Sequence, residues 1–105
     1  MKDADTLYQK LIDAGDDWAD KQAAFNVLDD TKSTVLAKLT LSSTAPSVAA
    51  REVEARASEE FIQHVKATQY AFRDALKAKV KYESIKIWID LRRSEEATRR
   101  VEMKL

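Results

Sequence analysis

The residues best placed to do chemistry form one row in the C-terminal half. At steps of three or four come Lys66, Tyr70, Arg73, Lys77, Lys81, Ser84, Trp88, Arg92, Glu95 and Arg99. Six are cations and two are large aromatics. Cations bind phosphates, and exposed aromatic faces stack on unpaired bases, so the composition is that of a groove for single-stranded nucleic acid. A structural role competes with this reading. Lys and Arg are good helix formers, and Asp13, Asp16, Asp17 and Asp20 offer acidic partners within the chain.

Catalytic chemistry has little to stand on. The chain has no Cys, no Gly-rich phosphate loop and a single histidine, His64. Glu60 and His64 are four apart, whereas a di-iron bundle needs paired Glu-x-x-His motifs. A zinc site would lack its usual ligands. His64 therefore reads as a surface or edge residue. The pairs Asp16/Asp17, Asp29/Asp30, Glu59/Glu60 and Glu95/Glu96 read as solvated helix faces. Arg92-Arg93 and Arg99-Arg100 cluster near the C-terminus, where cations suit the negative end of a helix dipole. The expectation is a non-enzymatic protein with no metal and no cofactor.

The elements that position the row are helices. Of 105 residues, 34% are charged and 45% hydrophobic, with one Gly and one Pro. That mix is too apolar for a disordered chain and too poor in turn residues for a β protein. The one clear turn signal is Ser42-Ser43-Thr44-Ala45-Pro46-Ser47, because the residue before a proline is pushed out of the α region. Ser47 is a good N-cap for a helix beginning at Val48. The pattern predicts a single helical-hairpin domain over residues 1–105: a helix over about 5–42, a turn at 43–47 and a helix over about 48–103. Gly15 and Ser58 are the two places where a helix could break. The phase of the apolar seam across Gly15 favours one helix there.

That seam reads Leu7, Leu11, Ala14, Trp18, Lys21, Phe25, Leu28, Lys32, Val35, Leu39, with eight of ten positions apolar. It is a coiled-coil seam. Folding at the turn sets residue i beside about residue 91 − i. Trp18 then meets Arg73 and Phe72, Phe25 meets Val65, and Leu11 meets Val80. Phe25, Phe72 and Leu76 should be core. On the second helix Phe61, Val65, Phe72, Leu76, Val80, Ile87 and Leu91 form the stripe that faces the first. Ala67, Ala71, Ala78, Tyr82, Ile85 and Ile89 form a second, nearly opposite face. About 19 residues of the second helix should overhang, starting at Ile87. An all-α antiparallel hairpin with an exposed overhang predicts an oligomeric bundle, with Tyr82, Ile85, Ile87, Ile89 and Leu91 in the interface.

Charge is polarised although the net is zero. Residues 1–60 hold seven Lys and Arg against twelve Asp and Glu; residues 61–105 hold eleven against six. Such a chain can pair with itself, with a second copy or with a polyanion. No apolar run reaches the roughly 20 residues of a membrane span, and Met1-Lys2-Asp3-Ala4-Asp5 carries no signal core. With no cysteine, the expectation is a cytoplasmic protein with no membrane partner.

The run Ala75-Leu76-Lys77-Ala78-Lys79-Val80-Lys81-Tyr82 resembles a segment of T4-type phage recombination mediator proteins. There Ala-Leu-Lys-Ala, a basic residue, an aliphatic one, a variable one and Tyr also lie on a long helix. The stretch from Tyr82 to Met103, with Leu91-Arg92-Arg93 and Ala97-Thr98-Arg99-Arg100, is similar to small helical proteins encoded beside phage replication and recombination genes. The resemblance is close over eight residues and loose over about thirty; the acidic first half has no counterpart in it. It implies an oligomeric, all-helical protein of the host cytoplasm that works with a recombinase on single-stranded DNA. It also implies Lys77, Lys79 and Lys81 as DNA contacts. The rival expectation is a small inhibitor or adaptor that binds a host enzyme and no nucleic acid.

Overall fold

A chain rich in Ala, Lys, Glu, Leu and Arg, with two conformational breakers, has few ways to be anything but helical. The computed structural model describes residues 2–104, with side chains from 5 to 104; Met1 and Leu105 lie outside the described residues. It is all-α, 93% helical, with no strand among the described residues. The elements are α1 (Lys2–Asp30), α2 (Lys32–Ser42), α3 (Val48–Ala57) and α4 (Glu59–Lys104).

Gly15 lies inside α1 without a break and without positive φ. The interruption falls instead at Thr31, with φ −89° and ψ −3°. Its hydroxyl donates back to the carbonyls of Val27 (2.7 Å) and Leu28 (3.3 Å). Such back-bonding competes with the helix ladder and bends it. The ladder itself continues through Thr31 N–H to the Val27 carbonyl and Val35 N–H to the Thr31 carbonyl. A second interruption falls at Ser58, which is extended and both ends α3 and caps α4: the Phe61 N–H donates to Ser58 Oγ at 3.3 Å.

Contacts divide the chain into two compact units, one of residues 1–19 and 76–105, the other of residues 20–75. In the second unit α3 returns against α2. The linker between them is extended at Ser43 and Ser47. Ser43 Oγ donates to Glu54 Oε2 at 3.0 Å, Arg51 Nε donates to the Ala45 carbonyl at 2.8 Å, and Ser47 caps α3 by accepting from Ala50 N–H. The linker thus runs back along the first two turns of α3. Extended residues advance ~3.3 Å each against 1.5 Å in a helix, so a few of them span two helical turns. This is why the pairing departs from the simple fold-back register. Phe25 meets Phe72 (ring centroids 5.2 Å apart), about two turns beyond Val65. In the first unit the partner of Trp18 is Tyr82 at 5.5 Å, not Arg73 or Phe72.

The faces of α4 are also assigned differently. In the first unit Leu7, Ala14, Ala78 and Ile89 are buried, with Trp18, Tyr82 and Ile85 half-buried. In the second, Ala55, Phe61, Thr68 and Ala75 are buried, with Phe25, Val65 and Ala71 half-buried. The stripe expected to face the first helix points outward over most of its length: Phe72, Leu76, Val80, Ile87 and Leu91 are all exposed. Phe72 and Leu76 are not core. A Cβ on Gly15 would lie 3.4 Å from Tyr82 Cε2, an ordinary contact, so the Tyr82 ring packs directly over Gly15 and beside Trp18. Large-on-small packing of Tyr82 at Gly15 anchors the Ala/Tyr/Ile face of α4 against α1.

Candidate nucleic-acid interface on α4

A helix without Gly or Pro displays its side chains in a regular row, and α4 has its polarity well matched. Glu59 and Glu60 sit in its first turn and Lys104 in its last, each favourable to the dipole. In the second unit, Lys66, Tyr70 and Arg73 of the row are exposed. The Arg73 guanidinium lies 5.1 Å from the Tyr70 ring centroid and 3.4 Å from Asp74 Oδ1. One face of Tyr70 is therefore covered by a cation and is closed to a stacking base.

In the first unit Lys77, Lys81 and Arg99 are exposed, Arg92 is half-buried, and Trp88 is 53% exposed. Lys81 and Trp88 share a shallow groove with Lys10, Asp13, Ala14, Asp17, Ser84 and Ile85. The groove brings a cation and an aromatic together, as the row requires. It also brings Asp13 and Asp17 beside them, which weakens attraction for a phosphate. Lys79 is turned to the other side of the helix, with its ammonium 6.0 Å from the Trp18 ring centroid. Of the three lysines marked by the resemblance, Lys77 and Lys81 lie in the row and Lys79 does not.

Of the expected interface residues, Ile89 is buried and Tyr82 and Ile85 are half-buried within the chain itself, while Ile87 and Leu91 are exposed. Ile87 and Leu91 are the most open of the five. His64 is half-buried, and its Nε2 lies 2.8 Å from the Leu28 carbonyl. A carbonyl only accepts, so Nε2 carries the proton. The bond links α4 to the last turn of α1, where the Thr31 interruption disturbs the ladder. Nothing in the spacing around His64 signals it, because it depends on which turn of α1 the side chain meets. Among the described residues no group of three or more His, Cys, Asp or Glu could hold a metal ion, and no helix is long and apolar enough to cross a membrane.

One buried polar atom stands out. Trp18 Nε1 is buried with no hydrogen-bond partner, a cost of roughly 1–3 kcal/mol. Compared with family models, curated proteins and solved structures, the chain matches none.

Proposed function

We propose that the chain is a non-enzymatic accessory protein that binds single-stranded DNA through α4, in the manner of a phage recombination mediator. What supports this most is the exposure of Lys77, Lys81 and Trp88 together on one side of a continuous helix. Cations there would hold the phosphates and the indole would stack on a base. The resemblance of residues 75–82 to mediator proteins supports the same role, with a recombinase as the protein partner.

The test is retention of a single-stranded oligonucleotide at low salt. Binding should fall with salt at a slope of about −0.7 per phosphate contact. Lys77→Glu with Lys81→Glu should flatten that slope. Trp88→Ala should leave the slope and cost about 1–3 kcal/mol. Wild-type protein that fails to retard the oligonucleotide at low salt ends the reading. One observation favours a second function, that of a protein-binding adaptor or inhibitor: Leu76, Val80, Ile87, Leu91 and Val101 of α4 face outward in the first unit.

A further inference from the structure

Leu76, Val80, Ile87 and Leu91 are 45%, 61%, 60% and 55% exposed. At ~100° per residue they fall in one narrow sector of α4, on the side opposite Ala78, Tyr82 and Ile89, which pack within the unit. A row of large aliphatic side chains in water marks an interface. Its spacing says what covers it. The steps along the row are four, seven and four, so it reads the same in both directions. A two-fold contact between identical chains requires a surface complementary to itself. Reversal about the midpoint between Glu83 and Ser84 sets Leu76 opposite Leu91 of a second copy and Val80 opposite Ile87.

The charges obey the same symmetry with a change of sign. Lys79, Glu83, Lys86 and Asp90 are exposed along one edge of the row. Their order is positive, negative, positive, negative, which reversed becomes negative, positive, negative, positive. An antiparallel copy therefore brings Lys79 near Asp90 and Glu83 near Lys86. A parallel copy would set this edge beside the partner's Lys77, Ser84 and Trp88 edge, where the alternation finds no opposite charges. On the other edge, reversal keeps the Lys77 and Trp88 edges of both copies on one side of the pair. We propose that this face of α4 binds a second copy of the chain, α4 antiparallel to α4, with the two-fold axis between Glu83 and Ser84.

Sedimentation equilibrium and engineered cysteines test this on the full chain. The wild type should sediment at twice the 11.9 kDa chain mass. Val80→Asp with Ile87→Asp should halve that mass and leave helical circular dichroism unchanged, because both side chains are exposed in the single chain. The chain has no cysteine, so introduced ones report cleanly. Under mild oxidation a Val80→Cys chain mixed with an Ile87→Cys chain should form the mixed disulfide in preference to either self-linked product. A wild type at single-chain mass overturns the proposal. So does a Val80→Cys chain that links mainly to itself, which would mean a parallel pair. A Val80→Asp, Ile87→Asp variant that is folded and still associates would place the contact elsewhere and overturn it as well.

Discussion

Replacing Gly15 by alanine should stabilise the protein. Gly15 is in the interior of α1 and has no positive φ, so alanine adopts its backbone conformation without strain. Glycine in a helix interior costs about 0.8–1.0 kcal/mol relative to alanine, largely through unfolded-chain entropy. The added Cβ would lie 3.4 and 3.6 Å from Tyr82 Cε2 and Cδ2, which is van der Waals contact and not overlap. The gain should therefore be about 1 kcal/mol. For a chain of this size that is a rise of roughly 4–8 °C in Tm, followed by circular dichroism at fixed protein concentration. Gly15→Leu should behave oppositely, because atoms beyond Cβ must displace the Tyr82 ring. In a Tyr82→Ala background the penalty of Gly15→Leu should shrink. A drop in Tm for Gly15→Ala would refute the reasoning, since it would mean that Tyr82 sits closer or that the helix does not run through residue 15.

Trp18→Phe should cost far less than Trp18→Ala in urea denaturation, about 1 kcal/mol against 3–5 kcal/mol, because phenylalanine keeps a ring against Tyr82 and removes an unpaired buried N–H. Equal costs would show that the ring contact contributes nothing. His64→Ala should cost about 1 kcal/mol by removing its hydrogen bond to the Leu28 carbonyl, which the Thr31 hydroxyl still reaches, measured as a shift in urea midpoint with unchanged m-value. Ile89→Ala should cost about 2–5 kcal/mol while Ile87→Ala, measured by dilution at single-chain mass, should cost well under 1 kcal/mol; the reverse order would exchange the faces of α4.

The helical character of the chain is legible because nothing in its composition competes with it. The α1 seam is legible too: Leu7 and Ala14 are buried, and Leu11, Trp18, Phe25, Leu28, Val35 and Leu39 half-buried, as the heptad spacing predicts, with Lys21 and Lys32 exposed. The partner face is not. Hydrophobicity alone ranks Phe72, Leu76, Val80 and Ile87 above Ala71, Ala75 and Ala78 as core. Close helix packing favours small residues where a large ring must fit, and Trp18 and Tyr82 impose that choice. Gly15 carries the signal. By residue type it marks a possible break in the helix, whereas in the fold it lies under the Tyr82 ring. The register depends on how far the linker travels back along α3, which is set by the extended backbone of Ser43 and Ser47 and by the bonds of Ser43 to Glu54 and Arg51 to Ala45, pairings that no local pattern announces. The cations and aromatics of the row are legible as types. That Arg73 covers Tyr70 and that Asp13 and Asp17 border Trp88 emerges only from the packing.

The apolar row and the basic row occupy neighbouring sectors of the same helix, and this makes their uses separable. Lys77 and Trp88 lie at the edge of the apolar row, and Lys81 lies one sector further round. In the antiparallel pair, the two-fold axis keeps the Lys77–Trp88 edges of both copies on one side of the joined helices. Two short rows, each flanked by the carboxylates of Asp13 and Asp17, then border a single face twice as wide. A lone row offers few phosphate contacts and sits beside acidic groups, so its pull on a polyanion is weak. Joining two rows doubles the cations presented without adding a residue to either chain. Self-association through Leu76, Val80, Ile87 and Leu91 would thus precede nucleic-acid binding, and the apolar row would be the condition on which the basic row becomes useful. Losing the pair would weaken DNA retention even with every cation in place, while losing the cations would leave the pair intact.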